Sequence, residues 1–262
     1  MTVAEALRAS CIDAREARLL LAHATGFSEA AVLAFEDRAL PPQAQAQFLE
    51  FASRRRQGEP VAYLLGYKEF YGLRLAVNPA VLIPRPETEL LVDLALKRDF
   101  ASVVDLGTGS GAIALALKKN RPQARVIGAD SSAAALAVAK RNGGALNLEV
   151  EWRHGRWLAA LDGERFDLIV SNPPYVAAGD PHLAQLRFEP ADALVSGVDG
   201  LDAIREISKK APRHLEAGGW LLLEHGLGQD AAVRQLLRTN GLEEVETWPD
   251  LAGIPRVTGG RA

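Results

Sequence analysis

The chain has 262 residues, of which 48% are hydrophobic and 24% are charged, and its net charge is −3. This length is enough to bury a full α/β core without disulfide or metal support, and the composition is that of an ordinary globular protein. The acidic balance excludes a chain-wide positive field that would collect nucleic acid, although it leaves a local basic patch open.

The single cysteine excludes an intrachain disulfide and is typical of a protein from a reducing compartment. The first residues have neither the basic region nor the apolar region of a signal peptide. No apolar run approaches the ~20 residues that a membrane helix needs. We therefore expect a cytoplasmic protein that does not contact the membrane.

Residues 1–66 predict helices only. Apolar side chains recur at helical spacing, for example at Leu19 and Leu20 and again at Phe48 and Phe51. A Gly-Phe-Ser run and a Pro-Pro pair interrupt the helical pattern, and Ser28 is a candidate helix N-cap. We expect a small helical domain over residues 1–66.

Residues 67–84 differ in character from the helical segment. Two short extended runs, Tyr67–Gly72 and Leu73–Val77, meet at a glycine, which predicts a β-hairpin. Two prolines follow this hairpin. We expect residues 67–84 to link the helical domain to a second domain over residues 85–262.

Strands and helices alternate in the rest of the chain. Helices are predicted at 87–97, 111–120, 132–141, 201–211 and 230–238, and strands at 102–105, 124–129, 148–152, 166–171, 219–224, 243–248 and 256–258. This alternation predicts an α/β fold, with a mostly parallel sheet of seven strands that is covered by helices on both faces.

A glycine-rich turn joins the first strand of this sheet to the next helix. Gly107, Gly109 and Gly111 follow Asp105, and glycines allow positive φ and a close approach of ligand to backbone. The next strand ends in Asp130, whose carboxylate could accept hydrogen bonds from ribose hydroxyls. The pair suits S-adenosylmethionine, but it also suits NAD, so it indicates a cofactor that carries a nucleoside.

The strand Phe166–Ser171 ends in the tetrapeptide Asn172-Pro173-Pro174-Tyr175. The prolines remove backbone donors, so this turn presents carbonyl oxygens and the Asn172 amide at the edge where open α/β sheets bind ligands. Asn172 Oδ1 and the Pro173 carbonyl can accept both hydrogens of a substrate –NH2 group, which directs the nitrogen lone pair towards a methyl donor. Tyr175 can stack on or wall a planar substrate group.

Two classes of –NH2 substrate satisfy this arrangement. One is the side-chain amide of a protein glutamine, and the other is the amino group of adenine in DNA or RNA. An adenine N6-methyltransferase would need an extruded base and a basic channel, which this acidic chain does not indicate. A non-catalytic binding module that depends on the cofactor is a third possibility, against which the intact tetrapeptide argues.

The chain resembles the bacterial HemK/PrmC family of peptide chain release factor N5-glutamine methyltransferases over nearly its whole length. The segments that carry the resemblance are Tyr63–Gly66, Phe70–Gly72, Leu82–Glu89, Asp105–Leu117, Val170–Tyr175, Arg187–Pro190 and Leu221–Gly226. Within them, the block Pro84–Glu89 is the best discriminator from other methyltransferases that have an Asn-Pro-Pro-Tyr motif.

The resemblance implies a Rossmann-like class I methyltransferase sheet, S-adenosyl-L-methionine as methyl donor and S-adenosyl-L-homocysteine as product. It implies that the donor is bound by Gly107, Thr108, Gly109, Ser110, Gly111, Asp130, Trp157 and Asn172. The glutamine of the Gly-Gly-Gln motif of class I release factors would be held by Asn172, Pro173, Pro174 and Tyr175, with Asn172, Pro173 and Tyr175 catalytic. The helical domain would contact the release factor. We expect a monomer without metal and without direct nucleic-acid binding.

One position departs from the family pattern. The family usually has an acid directly before the aromatic residue at Trp157, where it accepts a hydrogen bond from the adenine amino group. Arg156 occupies that position here, and a guanidinium is a donor only. We also expect His182, Glu224 and His225 to order loops or to pack, because their spacing matches no metal motif.

Overall fold

The computed structural model describes all 262 residues, from Met1 to Ala262, and divides between Tyr67 and Lys68 into two units. The first unit consists of the helices α1 (Val3–Ser10), α2 (Ala14–Thr25), α3 (Glu29–Ala34), α4 (Pro42–Arg56) and α5 (Val61–Leu65). Its core is apolar and includes the fully buried side chains of Leu20, Leu21 and Phe48.

Local hydrogen bonds define where these helices begin. Thr2 and Glu5 form a reciprocal capping box at α1, in which each side chain accepts from the other residue's backbone N–H. Ser28 caps α3 by accepting from the backbone N–H of Ala31 at 3.1 Å, as the sequence predicts. No helix of the chain combines the length and the apolar composition that crossing a membrane requires.

The second unit begins with a two-stranded sheet of β1 (Tyr67–Phe70) and β2 (Leu73–Ala76), of which only Tyr67 belongs to the first unit. Its remaining helices are α6 (Glu89–Leu96), α7 (Ala112–Asn120), α8 (Ala133–Leu146), α9 (Asp202–His214) and α10 (Asp230–Thr239). Its remaining strands are β3 (Ser102–Leu106), β4 (Arg125–Asp130), β5 (Glu151–His154), β6 (Phe166–Ser171), β7 (Leu215–Glu224), β8 (Glu243–Pro249) and β9 (Pro255–Arg261).

These seven strands form one sheet in the order β5-β4-β3-β6-β7-β9-β8. The pairs from β5 to β7 are parallel, and β9 is antiparallel to both of its neighbours. The prediction of a mostly parallel, seven-stranded α/β sheet is therefore confirmed.

Alternate residues of the central strands pack on opposite faces of the sheet. Val103 and Val170 contribute to one buried cluster, whereas Val104 and Ile169 contribute to the other. Both clusters are buried, because each face is covered by helices. Such burial on both faces explains why the central strands read as continuous apolar runs in the sequence.

The strand β5 begins three residues later than the sequence predicts. The helix α8 continues to Leu146, past two glycines, and ends with Asn147 in a left-handed conformation. The backbone N–H of Leu148 then bonds to the carbonyl of Gly143 at 3.0 Å. This helix termination uses residues that the apolar pattern assigned to the strand.

The chain order of the strands creates a cleft at the centre of the sheet. From β3 the chain adds β4 and β5 on one side, and then returns to place β6 on the other side of β3. The last residues of the two strands, Leu106 and Ser171, are partners in the register. Ligands of open α/β sheets bind at such a reversal of strand order.

Candidate active site

The glycine turn after β3 has the backbone conformation that its sequence requires. Gly107, Gly109 and Gly111 have φ values of 71°, 56° and 83°, in the left-handed region that disfavours other residues. The backbone N–H groups of Gly107 and Thr108 both donate to the carbonyl of Ala129, at 2.8 and 3.0 Å. The turn is thereby fixed against the end of β4.

A buried carboxyl supports this turn from below. Asp105 is fully buried and accepts hydrogen bonds from the Thr108 hydroxyl at 2.6 Å and from the Ala114 backbone at 3.2 Å. Burial raises the pKa of Asp105 to about 7. Its Oδ1 atom is buried without a hydrogen-bond partner. The sequence identifies Asp105 only as the residue before the turn, whereas the structure shows that its carboxyl group holds the turn in place.

Asp130 lies at the end of β4 and faces the glycine turn. Its Oδ2 accepts from the backbone N–H of Gly109 at 2.9 Å, and its Oδ1 accepts from Ser132 at 2.8 Å. A carboxylate oxygen can accept more than one hydrogen bond. Asp130 can therefore hold the turn and still accept from ligand hydroxyl groups.

Trp157 lies over the glycine turn in a strained backbone conformation. Its φ is 48°, in the left-handed region that a bulky residue rarely adopts. A Cβ atom added to Gly107 would come within 3.1 Å of the Trp157 ring, so the glycine allows the indole to approach the turn. The tertiary structure holds this aromatic side chain where an adenine ring could stack on it.

Arg156 is engaged by an acid from another element. Its guanidinium pairs with the Glu206 carboxylate of α9 at 2.8 Å, and its centre lies 5.9 Å from the centroid of the Trp157 ring. Neither interaction provides a hydrogen-bond acceptor at this position, because a guanidinium is a donor only. In the structure, therefore, position 156 offers no side-chain acceptor for the adenine amino group, unlike the acid that the family usually has there.

These groups surround a cavity of about 650 Å³ at the carboxyl edge of the sheet. Its walls include Gly107, Gly109, Asp130, Arg156, Trp157 and Asn172. The size is within the range of small-molecule sites. An acid, a planar aromatic ring and a glycine turn with accessible backbone fit a nucleoside-bearing methyl donor.

Three residues that the resemblance assigns to the donor do not line this cavity. The Thr108 side chain is buried on Asp105, and the Ser110 side chain is buried as well. Gly111 is the N-cap of α7, and a Cβ atom there would come within 3.0 Å of Trp152. The structure therefore places Thr108, Ser110 and Gly111 as residues that shape the turn.

Asn142 supports the same turn and was not singled out from the sequence. Its Nδ2 donates to the Ser110 carbonyl at 2.9 Å and to the Ala76 carbonyl at 3.1 Å, and its Oδ1 accepts from the Ala76 backbone at 2.8 Å. It joins the glycine turn to β2. The only signal in the sequence is a polar residue on the buried, Ala-rich face of α8.

The tetrapeptide after β6 separates this cavity from a second one of about 280 Å³. Asn172 lines both cavities, Pro174 lines the first, and Pro173 and Tyr175 line the second. Asn172 Nδ2 donates to the Thr88 hydroxyl at 3.0 Å, whereas its Oδ1 accepts no hydrogen bond from the protein. The tetrapeptide therefore presents a free amide oxygen where the two cavities meet.

Tyr175 forms a wall of the second cavity. Its hydroxyl lies 3.5 Å from Glu224 Oε1, and burial raises the pKa of Tyr175 to about 12. The phenol is therefore neutral at physiological pH and cannot act as a base there. Its backbone carbonyl accepts from Gln229 Nε2 at 3.0 Å, which holds the end of the tetrapeptide in place.

The block Leu82–Glu89 borders both cavities and is held by long-range contacts. Arg85 and the backbone N–H of Ile83 both donate to the buried Glu189 carboxylate. Glu89 accepts from the backbone N–H of Tyr71 at 2.8 Å. The sequence indicated this block through the family resemblance alone, and the structure supplies its contacts.

The three residues expected to order loops lie in different surroundings. His182 is exposed and interacts with Asp180 at 2.8 Å. His225 is buried, interacts with Thr258 Oγ1 at 2.9 Å, and has its pKa lowered by burial. Glu224 is fully buried beside Tyr175. No group of His, Cys, Asp and Glu side chains in the chain is arranged to hold a metal ion.

Known proteins share both units of this chain. Residues 86–244 match the family model of the methyltransferase small domain, and residues 2–66 match that of the PrmC N-terminal domain. The release factor glutamine methyltransferase of Xylella fastidiosa (strain Temecula1) is 54% identical over 257 residues, which cover 95% of this chain and 94% of that protein. That of Burkholderia pseudomallei (strain K96243) is 50% identical over 273 residues, which cover 99% and 96%.

A solved structure has the same fold. The T. Thermophilus 16S rRNA N2 G1207 methyltransferase in complex with AdoMet and guanosine aligns with a TM-score of 0.56 and 22% identity, over 74% of this chain and 49% of that one. The two family models and the near full-length identity to curated relatives agree with the glycine turn and the Asn-Pro-Pro-Tyr motif. The chain therefore belongs to the HemK/PrmC family of release factor glutamine methyltransferases.

Proposed function

We propose that this protein transfers a methyl group from S-adenosyl-L-methionine to the side-chain amide nitrogen of the glutamine in the Gly-Gly-Gln motif of class I peptide chain release factors. S-adenosyl-L-homocysteine and the proton lost from the amide nitrogen are the other products. The curated relatives at 54% and 50% identity are named release factor glutamine methyltransferases, which supports the proposal. We further propose that the protein acts in the cytoplasm as a monomer and does not bind nucleic acid directly.

The larger cavity is the proposed donor site. Gly107, Gly109 and Asp130 would hold the amino-acid and ribose portions, and Trp157 would stack on the adenine. When bound, S-adenosylmethionine supplies a methyl group that is activated by its sulfonium. The protein contributes the position of that group at the Asn172 end of the cavity.

The free oxygen of Asn172 is the observation that carries the proposal. With Nδ2 engaged by Thr88, Oδ1 is available for one hydrogen of a substrate amide. The Pro173 carbonyl is available for the other, because no group of the chain donates to it. Together they orient the nitrogen and stabilise the positive charge that develops on it during methyl transfer.

The smaller cavity is the proposed site for the glutamine side chain. Pro173 and Tyr175 provide its planar and apolar walls, with Leu82 and Leu194 among the other lining residues. It contains no side chain that would act as a base in its wall, and Arg85 is its one charged group. Orientation of the amide between two acceptors is accordingly the main contribution to rate.

The helical unit is proposed to bind the release factor outside the active site. Leu33 and Phe35, at the end of α3, are 55% and 54% exposed. Exposed large apolar side chains that lie close together are typical of protein contact surfaces. Binding energy from such remote contacts would orient the glutamine in the catalytic unit.

Mass spectrometry of a purified release factor, incubated with this protein and S-adenosylmethionine, tests the proposal. We expect the mass of one methyl group, localised by fragmentation to the glutamine of the Gly-Gly-Gln motif. A release factor with alanine in place of that glutamine is the control and should stay unmodified. Methylation of adenine in DNA or RNA, with no change in the release factor, would contradict the proposal.

Removal of residues 1–66 tests the role of the helical unit. We expect the shortened protein to bind S-adenosylmethionine normally and to methylate the release factor poorly. The Leu33→Ser and Phe35→Ser variants of the full chain keep the helical unit and change only its exposed apolar surface. Both should weaken release factor binding. If the shortened protein lost donor affinity as strongly as it lost methylation activity, the helical unit would instead support the catalytic fold.

A further inference from the structure

The side-chain amide of Asn172 has two orientations that differ little in shape. One directs Oδ1 towards the junction of the two cavities, and the other directs the –NH2 group there. Only the first offers an acceptor to a substrate amide, because the second would set two donors against each other. Hydrogen bonds on the protein side of the amide must therefore decide the orientation.

Thr88 makes the hydrogen bond on the protein side. It ends the short 3₁₀ turn Pro86–Thr88 and is 4% exposed, so solvent does not compete for its hydroxyl. Its Oγ1 lies 3.0 Å from Asn172 Nδ2 and accepts a hydrogen bond from it. A hydroxyl has one hydrogen and can accept or donate, so Thr88 by itself does not select either orientation.

Glu224 lies on the other side of Thr88. It ends β7 and is fully buried, and its Oε2 atom has no hydrogen-bond partner in the chain. The Thr88 hydroxyl is near enough to lower the pKa of Glu224, and it donates to no other group of the chain. A carboxylate is an acceptor only. When Glu224 is ionised, the Thr88 hydrogen turns towards it, and the lone pairs of Thr88 are left for Asn172 Nδ2.

We propose that Thr88 is a positioning residue that, with its hydroxyl oriented by Glu224, fixes the Asn172 amide with Oδ1 towards the substrate. This inference rests on the proposed function, because the orientation matters only if Oδ1 accepts from a substrate –NH2 group. The order of contacts is Glu224, Thr88, Asn172 and then substrate. Thr88 and Glu224 touch no reacting atom.

The surroundings of Glu224 give this arrangement a pH dependence. The groups that face it are the Tyr175 hydroxyl, the Thr88 hydroxyl, the Glu87 carboxylate and the Arg256 guanidinium of β9. Burial outweighs Arg256 and raises the pKa of Glu224 to about 7. Protonated Glu224 can donate to Thr88, which removes the constraint, so turnover should fall as the pH drops below about 7.

The Thr88→Val variant removes the hydroxyl and keeps the shape. We expect kcat for release factor methylation to fall by about 10- to 100-fold, because Asn172 is kept and only its orientation is released. This loss is smaller than the ~10²- to 10³-fold loss that follows removal of a contacting group. The affinity for S-adenosylhomocysteine and the melting temperature should stay near those of the parent, and Thr88→Ser should restore most of kcat. The matched control is Ser208→Ala, since Ser208 Oγ accepts from Asn240 Nδ2 at the same 3.0 Å and lies outside both cavities.

Double variants test whether Thr88 acts through Asn172. If it does, Thr88→Val should have no further effect on kcat in an Asn172→Ala background. Glu224→Gln should lower kcat and abolish its fall below pH 7. The inference is overturned by a Thr88→Val rate within twofold of the parent, by additive losses in the double variant, or by loss of donor affinity in Thr88→Val.

An NMR measurement separates this inference from the proposed function. The two side-chain N–H signals of Asn172 in the isotope-labelled full chain report its hydrogen bond to Thr88 without any substrate. We expect these signals to shift in Thr88→Val and in Glu224→Gln, and to stay unchanged in Ser208→Ala. Unchanged signals in Thr88→Val would overturn the positioning role. Shifted signals in a protein that methylates no release factor would instead contradict the proposed function.

Discussion

Glu189 accepts hydrogen bonds from both the Arg85 guanidinium and the Ile83 backbone N–H, although its side chain is only 3% exposed. Residues 85 and 189 belong to different segments, one before the sheet and one after β6, and both segments border the cavities. A single buried carboxylate thus joins two walls of the candidate active site. Its negative charge is compensated by one cation that is about two-thirds buried, since Arg85 is 32% exposed.

The Glu189→Gln variant should destabilise the catalytic unit. The glutamine retains an acceptor for Ile83, but its –NH2 group cannot accept from Arg85, so the mostly buried Arg85 guanidinium loses its charged partner. We expect the free energy of unfolding in urea to fall by about 1–3 kcal/mol. The control is Glu244→Gln, whose exposed pair with Arg261 should contribute less than about 0.5 kcal/mol. Equal effects of the two variants on the free energy of unfolding would show that burial does not strengthen the interactions of Glu189.

The Asn172→Ala variant removes the amide oxygen proposed to accept a hydrogen from the substrate. We expect the single-turnover rate at saturating donor to fall by about 10²- to 10³-fold, because one preorganised acceptor is lost in the transition state. The KM for the release factor should change much less. A rate within a few-fold of the parent would show that the tetrapeptide is not the catalytic centre.

The Asp130→Ala variant should weaken donor binding. It removes the proposed acceptor for ribose and also the hydrogen bond that holds Gly109 in the turn. We expect the binding of S-adenosylhomocysteine, measured by calorimetry, to weaken by about 1.5–3 kcal/mol. Asp99→Ala changes an exposed acid outside the cavities and should bind as the parent does. Tight binding of NAD by the parent would contradict the assignment of the cofactor.

Arg156 offers a test of adenine recognition. The Arg156→Asp variant supplies the acceptor that the family usually has, but it places a carboxylate beside Glu206 in place of the present ion pair. We therefore expect Arg156→Asp in a Glu206→Gln background to tighten the binding of S-adenosylhomocysteine, by about 1 kcal/mol for one added hydrogen bond. The Glu206→Gln single variant is the reference. An unchanged dissociation constant would mean that Trp157 and backbone groups already suffice.

Glu224 should make the stability of the parent depend on pH. Its pKa is raised to about 7 in the folded protein from an ordinary value of 4.5. The folded state therefore binds this proton more tightly than the unfolded state. The stabilisation that Glu224 contributes is complete below about pH 4.5 and is lost as the pH rises towards 7.

Glutamine at position 224 does not titrate. We expect the stability of Glu224→Gln relative to the parent to be higher at pH 8 than at pH 5, by about 2–3 kcal/mol. Urea denaturation at both values measures this difference, and parallel pH curves for the two proteins would contradict it.

Periodicity and strand-end motifs in the sequence predicted most of the fold and part of the site. The alternation of strands and helices, the glycine turn and the Asn-Pro-Pro-Tyr turn are local patterns, because each depends on the conformations of neighbouring residues. Local patterns locate Asp130 and Asn172 at strand ends, and the parallel sheet then brings those ends to one edge. The start of β5 was predicted wrongly because a helix cap, which is also a local feature, competes with the apolar pattern there.

Tertiary structure alone decided which side chains support the site. Asn172 meets Thr88 across 84 positions of the sequence, and Arg85 meets Glu189 across 104. These partners are brought together by the order of the strands and the path of the connecting loops, which periodicity does not encode. Buried hydrogen bonds of this kind also depend on the direction of each donor and acceptor. By itself the sequence determined the fold, the family and the two turns that hold the chemistry, whereas the packed structure determined how Asn172 is held.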